Sequence, residues 1–149
     1  MGITNRQAEI SGEILASVLL DNVSEQGLTL SASYQSIANY KVGFTSDRTG
    51  NAELEMLIYI AKTESGQNVA INCRLLDADD NIISNTEREL IYLPQDEVRG
   101  YCQLIWKMPI TANSNYMYQV QFKSLNTNNR TIVKYGGFSG AALLKVTGL

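Results

Sequence analysis

From Leu28 onward, apolar and polar residues alternate with period two, the spacing of strands that bury one face and wet the other. Candidate strands run over 28–34, 37–44, 51–62, 68–76, 81–92 with a break, 99–107, 115–123, 131–135 and 138–147. Turn-forming clusters separate them, among them Ser46-Asp47-Arg48-Thr49-Gly50, Asp77-Ala78-Asp79-Asp80-Asn81 and Asn126-Thr127-Asn128-Asn129. About eight short strands at such spacing predict an all-β antiparallel sandwich. The cleanest alternation sets Tyr116, Tyr118, Val120 and Phe122 toward a core and Met117, Gln119, Gln121 and Lys123 toward water.

Two strands depart from one-sided alternation. In 51–62 the core face is Leu54, Met56, Ile58 and Ile60, while the opposite face begins with Glu53 and Glu55 and then turns apolar at Leu57, Tyr59 and Ala61. The last strand is apolar or small on both sides, with Ala141 and Leu143 opposite Phe138, Ala142, Leu144 and Val146. Strands of that kind belong in the interior of a sheet. If the two share one sheet, Leu57, Tyr59, Ala141 and Leu143 form an outer apolar patch, and association with further copies of the chain is the simplest cover for it.

Residues 1–24 have a different rhythm and read as an N-terminal arm ahead of a domain spanning 25–149. Asn5 is suited to cap a helix in which Ile10, Ile14 and Val18 recur every four residues. Gly12 in that stripe weighs against a helix, and Ser17-Val18-Leu19-Leu20 suits an edge strand equally well. In either form the segment carries an apolar face for its own domain, a sister subunit or a larger scaffold.

The 149 residues fit a single domain able to bury roughly 68–70% of its unfolded surface. Charged residues make up only 18% of the chain, and Asn, Ser, Thr and Gln are abundant, so the surface is neutral-polar and suits a subunit largely covered by protein. A net charge of −3 excludes nucleic acid as an expected partner, because binding to phosphates needs clustered Lys and Arg. Neither a signal sequence nor an apolar run approaching about 20 residues is visible, so no membrane partner is expected. Cys73 and Cys102 share strand faces with Ile71 and Leu75, or with Leu104, Trp106 and Met108, and are expected as buried free thiols.

Catalytic chemistry finds little purchase. The chain has no histidine. Asp77, Asp79 and Asn81 have the spacing of a calcium loop, but Ile82 stands where the turn glycine belongs and Arg88 where the bidentate glutamate belongs. Glu53 and Glu55 share a strand face, the arrangement of ordinary exposed acids at the start of a strand more than of a glycosidase pair. Trp106 and the eight tyrosines offer flat rings for a sugar platform, yet Trp106 lies on the face of Cys102, Leu104 and Met108 and reads as core. No catalytic residue, metal site or cofactor is expected, and the chain is not expected to be an enzyme.

The closing run Gly137-Phe138-Ser139-Gly140-Ala141-Ala142-Leu143-Leu144 resembles the last strand of the tumour-necrosis-factor and complement globular-head jelly rolls. That resemblance implies an antiparallel jelly-roll β-sandwich whose final strand runs beside a threefold axis, and hence a homotrimer. No collagen-like stalk or signal peptide is visible ahead of the domain and no disulfide is expected, which disfavours the extracellular ligands of that group. An Asn/Ser/Thr-rich jelly roll with an N-terminal arm looks like the head decoration, or cement, proteins of tailed bacteriophages. The expected role is therefore structural: a trimer made in the host cytoplasm, seated on the virion surface, and bound through Ile10, Ile14 and Val18 to the major capsid protein. The alternative is a trimeric receptor- or carbohydrate-binding head of a phage fibre, which the start of the sequence at Met1 without a shaft repeat makes second.

Overall fold

The computed structural model describes residues 12–62, 68–96, 99–125 and 131–149. Its strands are β1 (Ile14–Leu20), β2 (Gln26–Leu30), β3 (Gln35–Thr45), β4 (Gly50–Lys62), β5 (Val69–Leu76), β6 (Arg88–Leu93), β7 (Arg99–Ile110), β8 (Asn115–Ser124), β9 (Thr131–Tyr135) and β10 (Ala142–Gly148). One edge of β4 pairs first with β10, over Ala52–Leu57, and then with β9, over Tyr59–Lys62; its other edge pairs with β7 along its length. β1 continues beyond β10 and β2 beyond β9. The first sheet is thus four strands wide, with β1 and β2 acting as one interrupted strand and β9 and β10 as another. The second sheet runs β3-β8-β5-β6. Both sheets are antiparallel, as the period-two pattern predicts, and this interleaving of the chain between them is a jelly roll, the form of sandwich that the resemblance of the closing run implies.

The core lies between the sheets. Leu54, Met56, Ile58 and Ile60 of β4 meet Val120 and Phe122 of β8 and Ile71, Cys73 and Leu75 of β5, all inaccessible to solvent. Burial of such side chains contributes roughly 1.5–3 kcal/mol each. Tyr40 joins this core because β3 carries a bulge. Ala38 and Asn39 are both exposed, Asn39 has φ +67°, and the register with β8 shifts between Ser36 and Lys41. The extra residue turns Ile37 and Tyr40 to the same side.

Two expectations are corrected by the fold. The segment expected to be an arm is, from Ile14 onward, a strand of the sandwich, hydrogen-bonded to β10 from Ile14↔Thr147 to Leu20↔Ala142. The register shift between Ile14 and Ala16 lets Val18 pack toward the core, opposite Leu144, while Ile14 stays 58% exposed, so the two do not share one face. Asn5 and Ile10 lie outside the described residues. The second correction concerns the strand expected over 138–147. Residues Gly137–Ser139 form a single 3-10 turn, and β10 begins only at Ala142. Gly136, Gly137 and Gly140 have φ of +79°, +54° and +74°, a left-handed run that throws the chain out of the sheet and leaves Phe138 fully exposed.

Candidate functional site

The pairing registers decide which side chains meet on the outer face of the first sheet, because residues directly opposite in an antiparallel pair share a face. One row reads Leu19, Leu143, Leu57 and Gln103 across β1, β10, β4 and β7, and the next reads Ser17, Lys145, Glu55 and Ile105. Tyr59 stands opposite Tyr101, their ring centroids 6.4 Å apart. Leu57, Tyr59 and Leu143 are half-buried by their neighbours, while Leu19, Tyr101 and Ile105 are 57, 55 and 48% exposed.

Sequence reasoning placed Leu57, Tyr59 and Leu143 here, and the registers bring them together. Ala141 lies at the edge of the same patch, just before β10, where its carbonyl accepts a hydrogen bond from the Tyr101 hydroxyl at 3.1 Å. Leu19, Tyr101 and Ile105 were missed. Leu19 belonged to a segment of undecided form, and the outward positions of β7 alternate with core residues, so Tyr101 and Ile105 resemble isolated exposed apolar residues until β7 is set beside β4.

Polar groups frame this apolar surface. On the row below Leu57, Glu55 accepts from the Gln103 amide at 2.6 Å and faces the Lys145 ammonium at 3.4 Å. Its neighbour Glu53 points the same way, so the pair serves surface electrostatics. At the opposite end the turn after β1 clasps the 136–141 excursion. Gly137 donates its backbone N–H to the Asn22 carbonyl at 2.9 Å, and the Ser139 hydroxyl donates to Glu25 at 2.6 Å. That hydroxyl, with Lys134 3.1 Å away, holds the Glu25 carboxyl below its ordinary range. The clasp fixes the point where the closing strand leaves and re-enters the sheet.

Other sequence-level candidates resolve into local structure. Asp77 Oδ1 accepts the backbone N–H groups of Asp79 and Asn81 at 2.9 and 3.0 Å, a side-chain turn that employs the carboxylate internally. No cluster of metal-ligating side chains occurs among the described residues. Cys73 and Cys102 are buried free thiols, and burial pushes each up to about 12. The Trp106 side chain is buried and donates its indole N–H to the Thr86 carbonyl at 2.8 Å.

No family model matches the sequence, and no curated protein matches it. Among solved structures, the chain is similar to Eiger TNF from S. frugiperda, at 10% identity and a TM-score of 0.49, covering 91% of this chain and 92% of that one. It is similar to murine APRIL at 11% identity and a TM-score of 0.43, covering 91% of this chain and 99% of that one. A third similarity, to the dimeric latent form of PorU from Porphyromonas gingivalis, has 12% identity and a TM-score of 0.43 and covers 94% of this chain but 13% of that protein. The assignment as a jelly roll rests on the strand order and registers of the chain itself.

Proposed function

We propose that this chain is a structural protein that works as a homotrimer, and that it decorates and stabilises the head of a tailed bacteriophage by binding the major capsid protein. The observation that carries the reading is the outer face of the first sheet, where Leu19, Leu57, Tyr59, Tyr101, Ile105 and Leu143 fall together on four adjacent strands. Apolar patches spanning several strands are uncommon on monomers and mark association surfaces. Three copies packing this face around one axis form a closed assembly with no unsatisfied copy of the surface. The choice of three follows the resemblance of the closing strand, and the virion setting follows the neutral-polar composition and the apolar positions Ile10 and Ile14 near the N-terminus.

Light scattering tests the assembly. A particle of three times the 16.5 kDa protomer mass is expected, and Tyr59→Lys should lower it by placing an unpaired charge in the contact. A monomer at high concentration, indifferent to that substitution, overturns the trimer. Co-sedimentation with empty phage shells tests the setting separately: the intact chain should pellet with shells, and a chain lacking 1–11 should pellet less. A stable trimer that ignores shells overturns the capsid reading alone.

A further inference from the structure

The second sheet leaves one corner of the sandwich open. β5 pairs with β8 only as far as Leu76↔Gln119, so Asn115–Tyr118 of β8 extends past the end of its neighbour. β6 pairs with β5 only over Val69–Cys73, and β7, the next strand in the chain, lies in the other sheet with β4 as its sole partner strand among the described residues. The gap between the Trp106–Pro109 end of β7 and the start of β8 is therefore spanned by the loop 77–87 and not by a strand. A cavity of about 550 Å³ remains beneath that loop.

The cavity is built in advance of any occupant, because the loop over it is pinned from three sides. The Thr86 hydroxyl donates to the Ile83 carbonyl at 2.7 Å and accepts the Leu75 backbone N–H at 3.1 Å. The Thr86 carbonyl receives the Trp106 indole N–H at 2.8 Å, and Ile83 donates its own N–H to the Leu75 carbonyl at 3.0 Å. Thr86 itself is buried. Such a frame lowers the ordering cost of binding, since the walls are already fixed.

The lining combines an apolar floor with a polar mouth. Trp106, Met108, Tyr118 and Ile83 form the floor. At the mouth stand Tyr116, half-buried, and the exposed side chains of Asp79, Asn85, Arg88 and Asn115. The Tyr116 ring is held by stacking on Phe44 and Tyr118, at centroid distances of 5.5 and 6.2 Å. Its hydroxyl accepts the Thr111 N–H at 2.7 Å, which leaves the hydroxyl proton for a second partner. Few sites on a small domain join a volume within the roughly 300–1,000 Å³ typical of ligand cavities to a largely apolar lining with several convergent polar groups.

We infer that this corner cleft is a saccharide-binding site. A sugar ring carries an apolar C–H face and a rim of hydroxyls, and the cleft offers the complement of each: the half-buried Tyr116, Ile83 and Met117 over the buried Trp106, Met108 and Tyr118, and carboxylate, amide and guanidinium groups at the mouth. Asp77 and Asp79 are balanced in the lining by Arg88 and Lys107, so the rim carries no net charge to select an ion, and its polarity disfavours a purely apolar tail. The site lies within one protomer and away from the outer face of the first sheet, so it stands or falls apart from trimer formation. On an assembly it would occur once per copy and gain strength through multivalency.

Trp106 is the single tryptophan of the chain, which gives the test its reporter. The intact protein is titrated with glucose, galactose, mannose, rhamnose, N-acetylglucosamine, N-acetylgalactosamine and their disaccharides while Trp106 emission is followed. At least one sugar should give a saturable change with a dissociation constant on the order of 1 mM or tighter. Tyr116→Ala and Asp79→Ala should each weaken that binding about tenfold or more. Should Tyr116→Ala fail to fold, Asp79→Ala decides, because its exposed side chain supports no part of the core. Emission that no sugar shifts, or a shift that survives the substitutions unchanged, overturns the site. A response to apolar peptides and not to sugars overturns the saccharide class and assigns the cleft to a protein partner.

Discussion

The hydroxyl of Tyr40 donates to the backbone carbonyl of Leu143 at 2.6 Å, and the carbonyl of Leu57 lies 3.3 Å from the same oxygen. A side chain of the second sheet thus closes the seam of the first, at the place where β10 leaves β4 and the glycine excursion begins. The leucines whose side chains build the outer patch have their main-chain oxygens held from the inside. Tyr40→Phe keeps the ring and removes the staple, leaving a buried acceptor without its donor. A loss of about 1–3 kcal/mol in stability is expected by urea unfolding. An unchanged midpoint would mean that the seam is held by the ladders alone.

Burial suppresses the ionisation of several groups at once. The thiols of Cys73 and Cys102 and the phenol of Tyr118 are each pushed up to about 12, and Tyr40 is raised as well, desolvation being the leading cause in every case. In the unfolded chain these groups ionise near about 8.5 for Cys and about 10 for Tyr. Protons are held more tightly in the folded state, so the stabilisation is complete below the unfolded values and is lost as pH climbs through the folded ones. Thermal melts should show a melting temperature that falls between about pH 9 and about pH 12, with Cys73→Ala flattening the first part of the fall. Thiol dyes at neutral pH should label neither cysteine before denaturation. Rapid native labelling would contradict the inward placement of both.

How much of this was legible in the sequence depends on whether a residue's role is set by its own strand or by a distant one. Leu57 and Leu143 were readable because each strand is apolar on both faces, whatever its neighbours. Tyr40 was not, because the bulge at Ala38 and Asn39 breaks the period and its hydroxyl partner lies 103 residues away. Phe138 was misread because the last strand was run back through Gly140, whose positive φ ends the alternation, into the 3-10 turn at Gly137–Ser139. For β1, a four-residue repeat of aliphatics fitted helix and strand alike, and only pairing with β10 distinguishes them. The corner cleft has no sequence signature at all: it exists because β5 stops at Leu76 while β8 starts four residues beyond the matching position.

Two of the three excursion glycines allow a ranked prediction. Gly136 and Gly140 share a positive φ with an extended ψ, but a Cβ on Gly136 would lie 2.6 Å from the Asn22 carbonyl oxygen, whereas one on Gly140 meets nothing within 4 Å. Gly140→Ala should cost about 1–3 kcal/mol for the backbone conformation alone. Gly136→Ala should cost more, since the turn after β1 must also shift and release the Glu25 clasp. Chemical denaturation of the two variants checks the order, and equal losses would show that the turn yields freely.

The sharpest division between an attached arm and an integral strand comes from two truncations. Removing 1–11 leaves every described strand in place. Removing 1–24 strips β1 from β10, takes Val18 and Leu20 from the core and breaks the 2.6 Å ion pair between Glu13 and Arg48. Full burial of such an aliphatic is worth roughly 1.5–3 kcal/mol, and even the partial burial of Val18 and Leu20, with Leu15 and Ala16 beside them, is a large share of the roughly 5–15 kcal/mol by which domains are stable. Circular dichroism melts should therefore place the shorter truncation close to the intact chain and the longer one far below it, or unfolded. If the chain lacking 1–24 melts like the intact protein, β1 contributes little to the sandwich, and the boundary of the domain belongs after residue 24.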